Sequence, residues 1–191
     1  NDNVINAVIV GCGRIANKHY DALNLLGKGT ATILAVSDLN IEKCAMLVGD
    51  RSDIVQTTNF KTETVLNGCN LGIILTESGN HFQHAVEFLD HSIDVLIEKP
   101  VTLKLEDADE LERIAIANNC KVYVVKQNRY NPPIVQARRA FENGLLGSLN
   151  IGTIRVRWCR KQDYYDQASW RGTWSMDGGV IANQASHHVD L

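Results

Sequence analysis

The chain has 191 residues, of which 45% are hydrophobic and 21% charged, with a net charge of -3 at pH 7. That length holds one complete doubly wound domain and part of another, since domains run roughly 100 to 200 residues. The near-neutral balance and only three prolines exclude a disordered chain, a nucleic-acid-binding face and a basic membrane-surface patch, and no apolar run is long enough to span a bilayer.

In chain order, residues 4 to 10 read as a first strand and residues 13 to 26 as a first helix. Ile15, His19, Ala22 and Leu26 give that helix an apolar stripe, and Gly27 is its natural C-terminal cap. A second strand over 32 to 38 leads to a helix over 41 to 49, a short third strand over 54 to 57 and a short helix over 62 to 66. The continuous apolar run of residues 70 to 76 has the character of a strand buried on both faces. A helix over about 82 to 90, a fifth strand over 94 to 98, a helix over 106 to 118 with Ala108, Leu111, Ile114 and Ala115 on one side, and a sixth strand over 121 to 125 follow. This alternation predicts an α/β fold with a parallel, doubly wound sheet and right-handed crossovers, a dinucleotide-binding domain over residues 1 to 125.

From residue 126 the rhythm changes. Pro132 and Pro133 open a helix that runs to Asn143 and ends at Gly144. Beyond Gly147 a long strand is expected over 149 to 161, where Arg155, Arg157 and Lys161 alternate with Ile154, Val156 and Trp158. One wet, cationic face suits an open mixed or antiparallel sheet. Residues 162 to 179 read as a loop and 180 to 191 as a helix. One strand and two helices bury too little to stand alone, so residues 126 to 191 read as the truncated first part of an α+β open-sheet domain for substrate and oligomer contacts.

The motif that organises the first domain is Gly11-Cys12-Gly13-Arg14-Ile15-Ala16, a G-x-G-x-x-A turn between the first strand and the first helix. Gly11 permits the turn, Gly13 removes the side chain that would keep a pyrophosphate off the backbone, and Ala16 allows close packing of helix on strand. N–H groups of the helix's first turn then face the anion. Asp38 ends the second strand about twenty residues further on, where a carboxylate holds the adenosine ribose diol. Such a carboxylate repels a 2'-phosphate, and no arginine follows it, so NAD is favoured over NADP. The plainer alternative is that Asp38 caps the following helix. Five cysteines, at 12, 44, 69, 120 and 159, form no C-x-x-C pair. They read as reduced thiols of a cytoplasmic protein, with no disulfide and no metal site. The chain opens on Asn1 in place of Met, as a trimmed sequence does, with no charged and apolar leader.

Four motifs in succession resemble the Gfo/Idh/MocA family, the group of glucose-fructose oxidoreductase and inositol dehydrogenase. They are Gly11 to Ala16, Glu98-Lys99-Pro100, Asn128-Arg129-Tyr130-Asn131-Pro132, and the stretch from Trp170-Arg171-Gly172-Thr173-Trp174 through Gly178-Gly179 to Asn183-Gln184-Ala185-Ser186-His187-His188-Val189-Asp190. Family members are longer, and the tail from Trp170 is most similar to the branch that oxidises nucleotide-linked aminosugars or their uronic acids at C3.

The resemblance implies a fold of a Rossmann domain plus an open-sheet domain and an NAD-dependent hydride transfer from a sugar hydroxyl; open sheets in second domains often pair face to face, so a homodimer or homotetramer is expected at full length. It implies that Lys99 is the active-site lysine, steadying the reacting oxygen, and that His187 is the base that takes the hydroxyl proton. His188 is the rival, and an imidazole titrating near 6.5 suits the task. Helical spacing places Asn183 and His187 one turn apart with Asp190 close by. Asn183 stands where inositol dehydrogenase-like members carry an aspartate, so it is expected to orient substrate. The resemblance further implies that Thr76, Ser78, His81, Glu98 and Gln127 line the cofactor crevice with Gly11, Gly13, Arg14, Ile15 and Asp38. Arg129, Tyr130 and Asn131 are implied to face substrate beside Lys99, Asn183 and His187. Arg157, Lys161 and Arg171 suit an anionic group such as a diphosphate or carboxylate, or form a solvated face. Two rival functions fit the same scaffold: a redox-assisted glycoside hydrolase or lyase that keeps its NAD, and a silent dinucleotide-binding regulator. The presence of both Lys99 and His187 speaks against the regulator.

Overall fold

A computed structural model describes residues 4 to 191. The chain divides into two compact units, one up to Val124 and one from Val125 to Leu191. In the first unit, β1 (Ile5–Val10), β2 (Ala31–Ser37), β3 (Val55–Thr57), β4 (Leu71–Ile74), β5 (Asp94–Ile97) and β6 (Val122–Val124) form a six-stranded sheet in the order β3-β2-β1-β4-β5-β6. Every pairing is parallel. This is the doubly wound order, with its reversal between β1 and β4.

Strand side chains alternate between faces, and the core divides accordingly. Ala7, Ile9 and Ile73 point to the face covered by α1 (Ala16–Leu26) and α2 (Ile41–Val48), joining Ala16, Leu23, Cys44 and Leu47. Val8, Val10 and Ile74 point to the other face. There they meet α3 (Glu63–Leu66), α4 (His81–Leu89) and α5 (Leu105–Ala117) through Leu66, Ala85, Phe88, Leu111 and Ala115. The Ala108, Leu111, Ile114 and Ala115 side of α5 is the one that packs. The stripe expected on α1 is not. Its helix starts at Ala16, and Ala16, Tyr20 and Leu23 face the sheet while Ala22 and Leu26 are exposed. Starting at Ala16, three residues later than the expected start at residue 13, turns the packed face toward the i, i+4, i+7 set. His19 is thereby released from the apolar face. Gly27 closes the helix at φ 75, its N–H bonding the Asn24 carbonyl.

The second unit holds α6 (Pro132–Glu142), α7 (Gln162–Asp166) and α8 (Ser186–Val189). Three expectations are corrected here. Residues 149 to 161 form no strand, because among the described residues no neighbouring strand pairs with them, and their N–H and C=O groups have no ladder to join. The loop expected over 162 to 179 contains α7, begun after Lys161 in extended conformation. The terminal helix is broken in kind. A π-helical turn at Ile181–Ala185 precedes α8, a wide turn of the sort found at functional sites. No helix among the described residues is long and apolar enough to cross a membrane.

Gly72 on β4 is set directly beneath Phe88, which stacks on Phe60 with centroids 5.2 Å apart. A Cβ at Gly72 would stand 2.5 Å from the Phe88 ring. Gly72→Ala is expected to destabilise the protein by about 1–3 kcal/mol through overpacking. Urea denaturation of the intact chain checks this, and an unchanged midpoint would refute the packing argument.

Candidate active site

The glycine motif ends β1 at the switch point, where a doubly wound sheet opens a crevice at the carboxyl ends of its strands. Gly11 donates its N–H to the Ser37 carbonyl at 2.8 Å and takes φ +96°. A Cβ on it would lie 2.8 Å from the carbonyl carbon and oxygen of Leu75 and 2.9 Å from the nitrogen of Thr76, so backbone passes against backbone there. At Gly13 the position of a Cβ has no heavy atom within 4 Å, so open space lies above the turn. Helix α1 begins at that space with no side-chain cap and no acidic residue in its first turn. A bare turn below an uncapped helix N-terminus fits a pyrophosphate. Arg14 is exposed beside it and Ile15 is half-buried.

Asp38 is fixed at the end of β2. Its Oδ2 accepts the Cys12 N–H and its Oδ1 the Asn40 N–H, both at 2.9 Å, with the Lys43 ammonium 3.8 Å from Oδ1. It is not the cap of α2: Asn40 is, accepting the Glu42 N–H. The carboxylate is pinned to the glycine turn, leaving its remaining lone pairs to ribose hydroxyls. Beneath the same turn, the sulfurs of Cys12 and Cys44 lie 3.6 Å apart as free thiols. Burial, followed by the neighbouring Cys44, pushes the Cys12 thiol well above its ordinary value, which keeps it protonated and inert.

The loop after β4 and the turn after β5 complete this edge. Thr76 Oγ1 shares a 3.0 Å hydrogen bond with His84 Nδ1, and Ser78 is buried in the 3-10 turn Ser78–Asn80. His81 is only 1% exposed, with Nδ1 2.7 Å from the Pro100 carbonyl and Nε2 3.1 Å from that of Thr76. Its ring lies buried between the carbonyls of the two loops. Burial holds the His81 pKa below its ordinary value, although both facing carbonyls favour the imidazolium. Glu98 follows β5 directly and precedes the half-buried Lys99 and its cis bond to Pro100. Its Oε1 lies 3.0 Å from His19 Nε2 and its Oε2 accepts the Lys99 N–H at 3.2 Å. Burial would raise the Glu98 pKa, but the His19 bond and the Lys99 charge outweigh it and the carboxylate stays ionised.

The second unit carries the other predicted residues. Gln127 Nε2 stands 3.5 Å from His187 Nε2, a donor facing a ring nitrogen. Arg129 is held in a fork, donating from Nε and Nη2 to the two oxygens of Asp190 at 2.7 and 2.6 Å. That pairing, aided by Lys126, keeps the Asp190 carboxyl below the usual range. Arg129 thus ties the end of α8 to the 3-10 turn Gln127–Tyr130, while Tyr130 and Asn131 are exposed. Asn183 is 9% exposed and its amide donates to Asp177 Oδ1.

Gln127, Asn128, Arg155, Arg157, Trp158, His187 and His188 line a cleft of about 380 Å³ with Val156. Two of its walls are cationic and none is acidic. Beside it, the Arg160 guanidinium lies 4.0 Å from the Trp158 ring centroid and 5.0 Å from that of Tyr164, and Arg171 lies 4.4 Å from Tyr164 and 4.9 Å from Trp170. A second cavity, about 210 Å³, sits between Leu23, Gly27 and Ala31 at the opposite end of the strands and carries no reactive set.

Sequence reasoning missed His19, Asp177, Arg160 and Tyr164. A polar residue inside an otherwise apolar stripe was the available signal for His19, and nothing in the spacing marked the others.

Residues 5–126 match the family model described as "Oxidoreductase family, NAD-binding Rossmann fold", and residues 134–191 match the GFO/IDH/MocA C-terminal domain. The chain belongs to the GFO/IDH/MocA oxidoreductase family. Its fold overlays the WlbA dehydrogenase of Chromobacterium violaceum, in complex with NADH and UDP-GlcNAcA, with a TM-score of 0.93 and 34% identity over 100% of this chain and 55% of that one. The WlbA dehydrogenase of Bordetella pertussis, with the same two molecules, gives 0.92 and 32% over the same shares. Among curated relatives, "Oxidoreductase P35" of Formosa agariphila is 24% identical over 98% of this chain and 59% of its own length. "Inositol 2-dehydrogenase" of Rhizobium meliloti is 22% identical over 96% and 52%. The chain thus spans little more than half the length of these GFO/IDH/MocA proteins.

The buried imidazoles set a pH dependence. His81 and His84 are both held below 6.5 by burial, so the unfolded chain takes up protons that the native one refuses. Stability is expected to be level above about pH 6.5 and to fall as pH drops from there toward the depressed native values, with Glu98 adding a loss only below its ordinary value. Urea midpoints across that window check it, and a flat profile down to about pH 5 would refute it.

Proposed function

We propose that the protein is an NAD-dependent dehydrogenase acting on a secondary hydroxyl of an anionic, nucleotide-linked sugar, an aminosugar or its uronic acid. The observation that carries this reading is the cleft around His187, which has Arg155 and Arg157 in its walls and no carboxylate. Two guanidinium groups suit the phosphate and carboxylate oxygens of such a substrate through charge-assisted, forked hydrogen bonds. The WlbA neighbours, similar over the whole chain, hold NADH and UDP-GlcNAcA.

NAD, when bound, supplies the hydride acceptor, and this chain's residues supply alignment and charge. The uncapped start of α1 and the bare Gly13 turn would seat the pyrophosphate, with Asp38 on the ribose. Lys99 would donate a hydrogen bond to the reacting oxygen and stabilise the negative charge that grows there. His187 would accept the hydroxyl proton on Nε2. Gln127 Nε2 stands 3.5 Å from that nitrogen, a donor in the place that the substrate hydroxyl would take over.

Lys99→Ala and His187→Ala are each expected to lower kcat with UDP-GlcNAcA by about 10²- to 10⁴-fold, while NADH binding, read by fluorescence titration, persists. Near-normal turnover in either variant would overturn its assignment. Asp38→Ser is expected to narrow the preference for NADH over NADPH by about tenfold. An unaltered ratio would remove Asp38 from cofactor selection.

A further inference from the structure

His19 lies three residues past Ala16, on the helix whose start would receive the dinucleotide, yet it reaches the carboxyl end of β5. Its Nε2 stands 3.0 Å from Glu98 Oε1, and both side chains are 14% exposed. This is a sheltered pair, unlike the solvent-facing Arg113–Glu110 and Arg138–Glu142 pairs on α5 and α6, so water screens it less. The second Glu98 oxygen is committed to the Lys99 N–H. Two groups therefore address this carboxylate, His19 from α1 and Lys99 from its own turn, while His81 on α4 is buried nearby and held below its ordinary pKa. Leu96 and Ile97, preceding it on β5, are apolar and supply no competing partner.

A carboxylate with a free χ rotation would swing between Lys99 and solvent. Here one oxygen is anchored by an imidazole from another element, so the other stays over the Lys99 backbone and the charge stays within electrostatic reach of the Lys99 amine. We propose that His19 is a positioning residue for Lys99, acting through Glu98. The apolar packing of α1 does not require a histidine, since Ala16, Tyr20 and Leu23 form its buried face. What the imidazole adds is a fixed donor for Glu98. The same helix carries the glycine turn, so the lysine is placed by the element that would seat the dinucleotide.

The proposal takes the role of Lys99 from the function proposed above, but its test needs neither sugar nor turnover. The intact protein is acylated with a trace of acetic anhydride over a pH series, and Lys99 modification is quantified by peptide mass spectrometry. Below the midpoint of an amine's titration its rate of acylation follows the neutral fraction, which a nearby carboxylate suppresses.

Glu98→Gln is expected to speed Lys99 acylation about fivefold in that range, the size of one charge a few ångströms away in a watery setting. His19→Ala is expected to move it in the same direction. His19→Gln, which keeps a donor of similar reach, is expected to restore the original rate, and the His19→Ala/Glu98→Gln double variant to match Glu98→Gln alone. An unaltered rate in His19→Ala, effects that add in the double variant, or failure of His19→Gln to restore the rate would each overturn the proposal. If the alanine variant does not fold, His19→Asn, too short to reach Glu98, is read against the same outcomes. Absence of sugar oxidation by the wild-type protein would count against the proposed function and leave this result standing.

Discussion

The first unit is governed by a single close approach. At the reversal between β1 and β4 the chain leaving β1 runs against the chain leaving β4, with the Gly11 position 2.8 Å from the Leu75 carbonyl for any added Cβ. Only a residue without a side chain, at φ +96°, lets the two loops lie side by side. That contact fixes where α1 begins, and so where its unpaired N–H groups point. It also holds the Thr76 to Ser78 loop beside the glycine turn. Asp38 then reaches back to the Cys12 N–H and closes the third side. The crevice is thus a consequence of backbone proximity, and the side chains around it trim a shape already set.

How much of this was legible depended on whether the information was local. The six parallel strands came from apolar runs separated by helical segments, because strands buried on both faces must be apolar throughout. The packed side of α5 followed from helical periodicity alone. The packed side of α1 did not. The glycine turn uses up residues 13 to 15 before the helix begins, and a shift of that size carries His19 from a supposed apolar stripe to a hydrogen bond with Glu98. In the second unit the alternation from Leu149 to Lys161 was read correctly as a pattern, yet a strand exists only by pairing, and among the described residues nothing pairs there. The residues of the candidate site were legible as motifs. What each touches was not, as His81 illustrates, with its two ring nitrogens facing the carbonyls of Pro100 and Thr76.

Polar side chains at the carboxyl edge of the sheet sort by what they face. His81, almost wholly buried between the carbonyls of Pro100 and Thr76, is held below its ordinary pKa by desolvation. Glu98, less sheltered and given a donor by His19, is kept charged. Two groups on neighbouring loops are therefore pushed to opposite charge states by the balance of burial against partners. The neutral one has a single N–H for its two facing carbonyls, whereas the charged one stands next to the lysine in the chain.

In the second unit positive charge is retained by a different means. Arg129 gives two of its five N–H groups to Asp190, which makes it a brace between the 3-10 turn and α8. Arg160 and Arg171 lie over Trp158, Tyr164 and Trp170 instead. An aromatic face attracts a guanidinium through its quadrupole without neutralising it, so the cation keeps its outward field. Carboxylates in the same places would have cancelled that field and cost any incoming phosphate its partner. Arginine is suited to the arrangement where lysine is not, because a planar, weakly hydrated cation can stack on a ring and still offer edge N–H groups. Aromatic support thus lets this unit concentrate unspent positive charge beside His187 in a chain whose overall charge is negative.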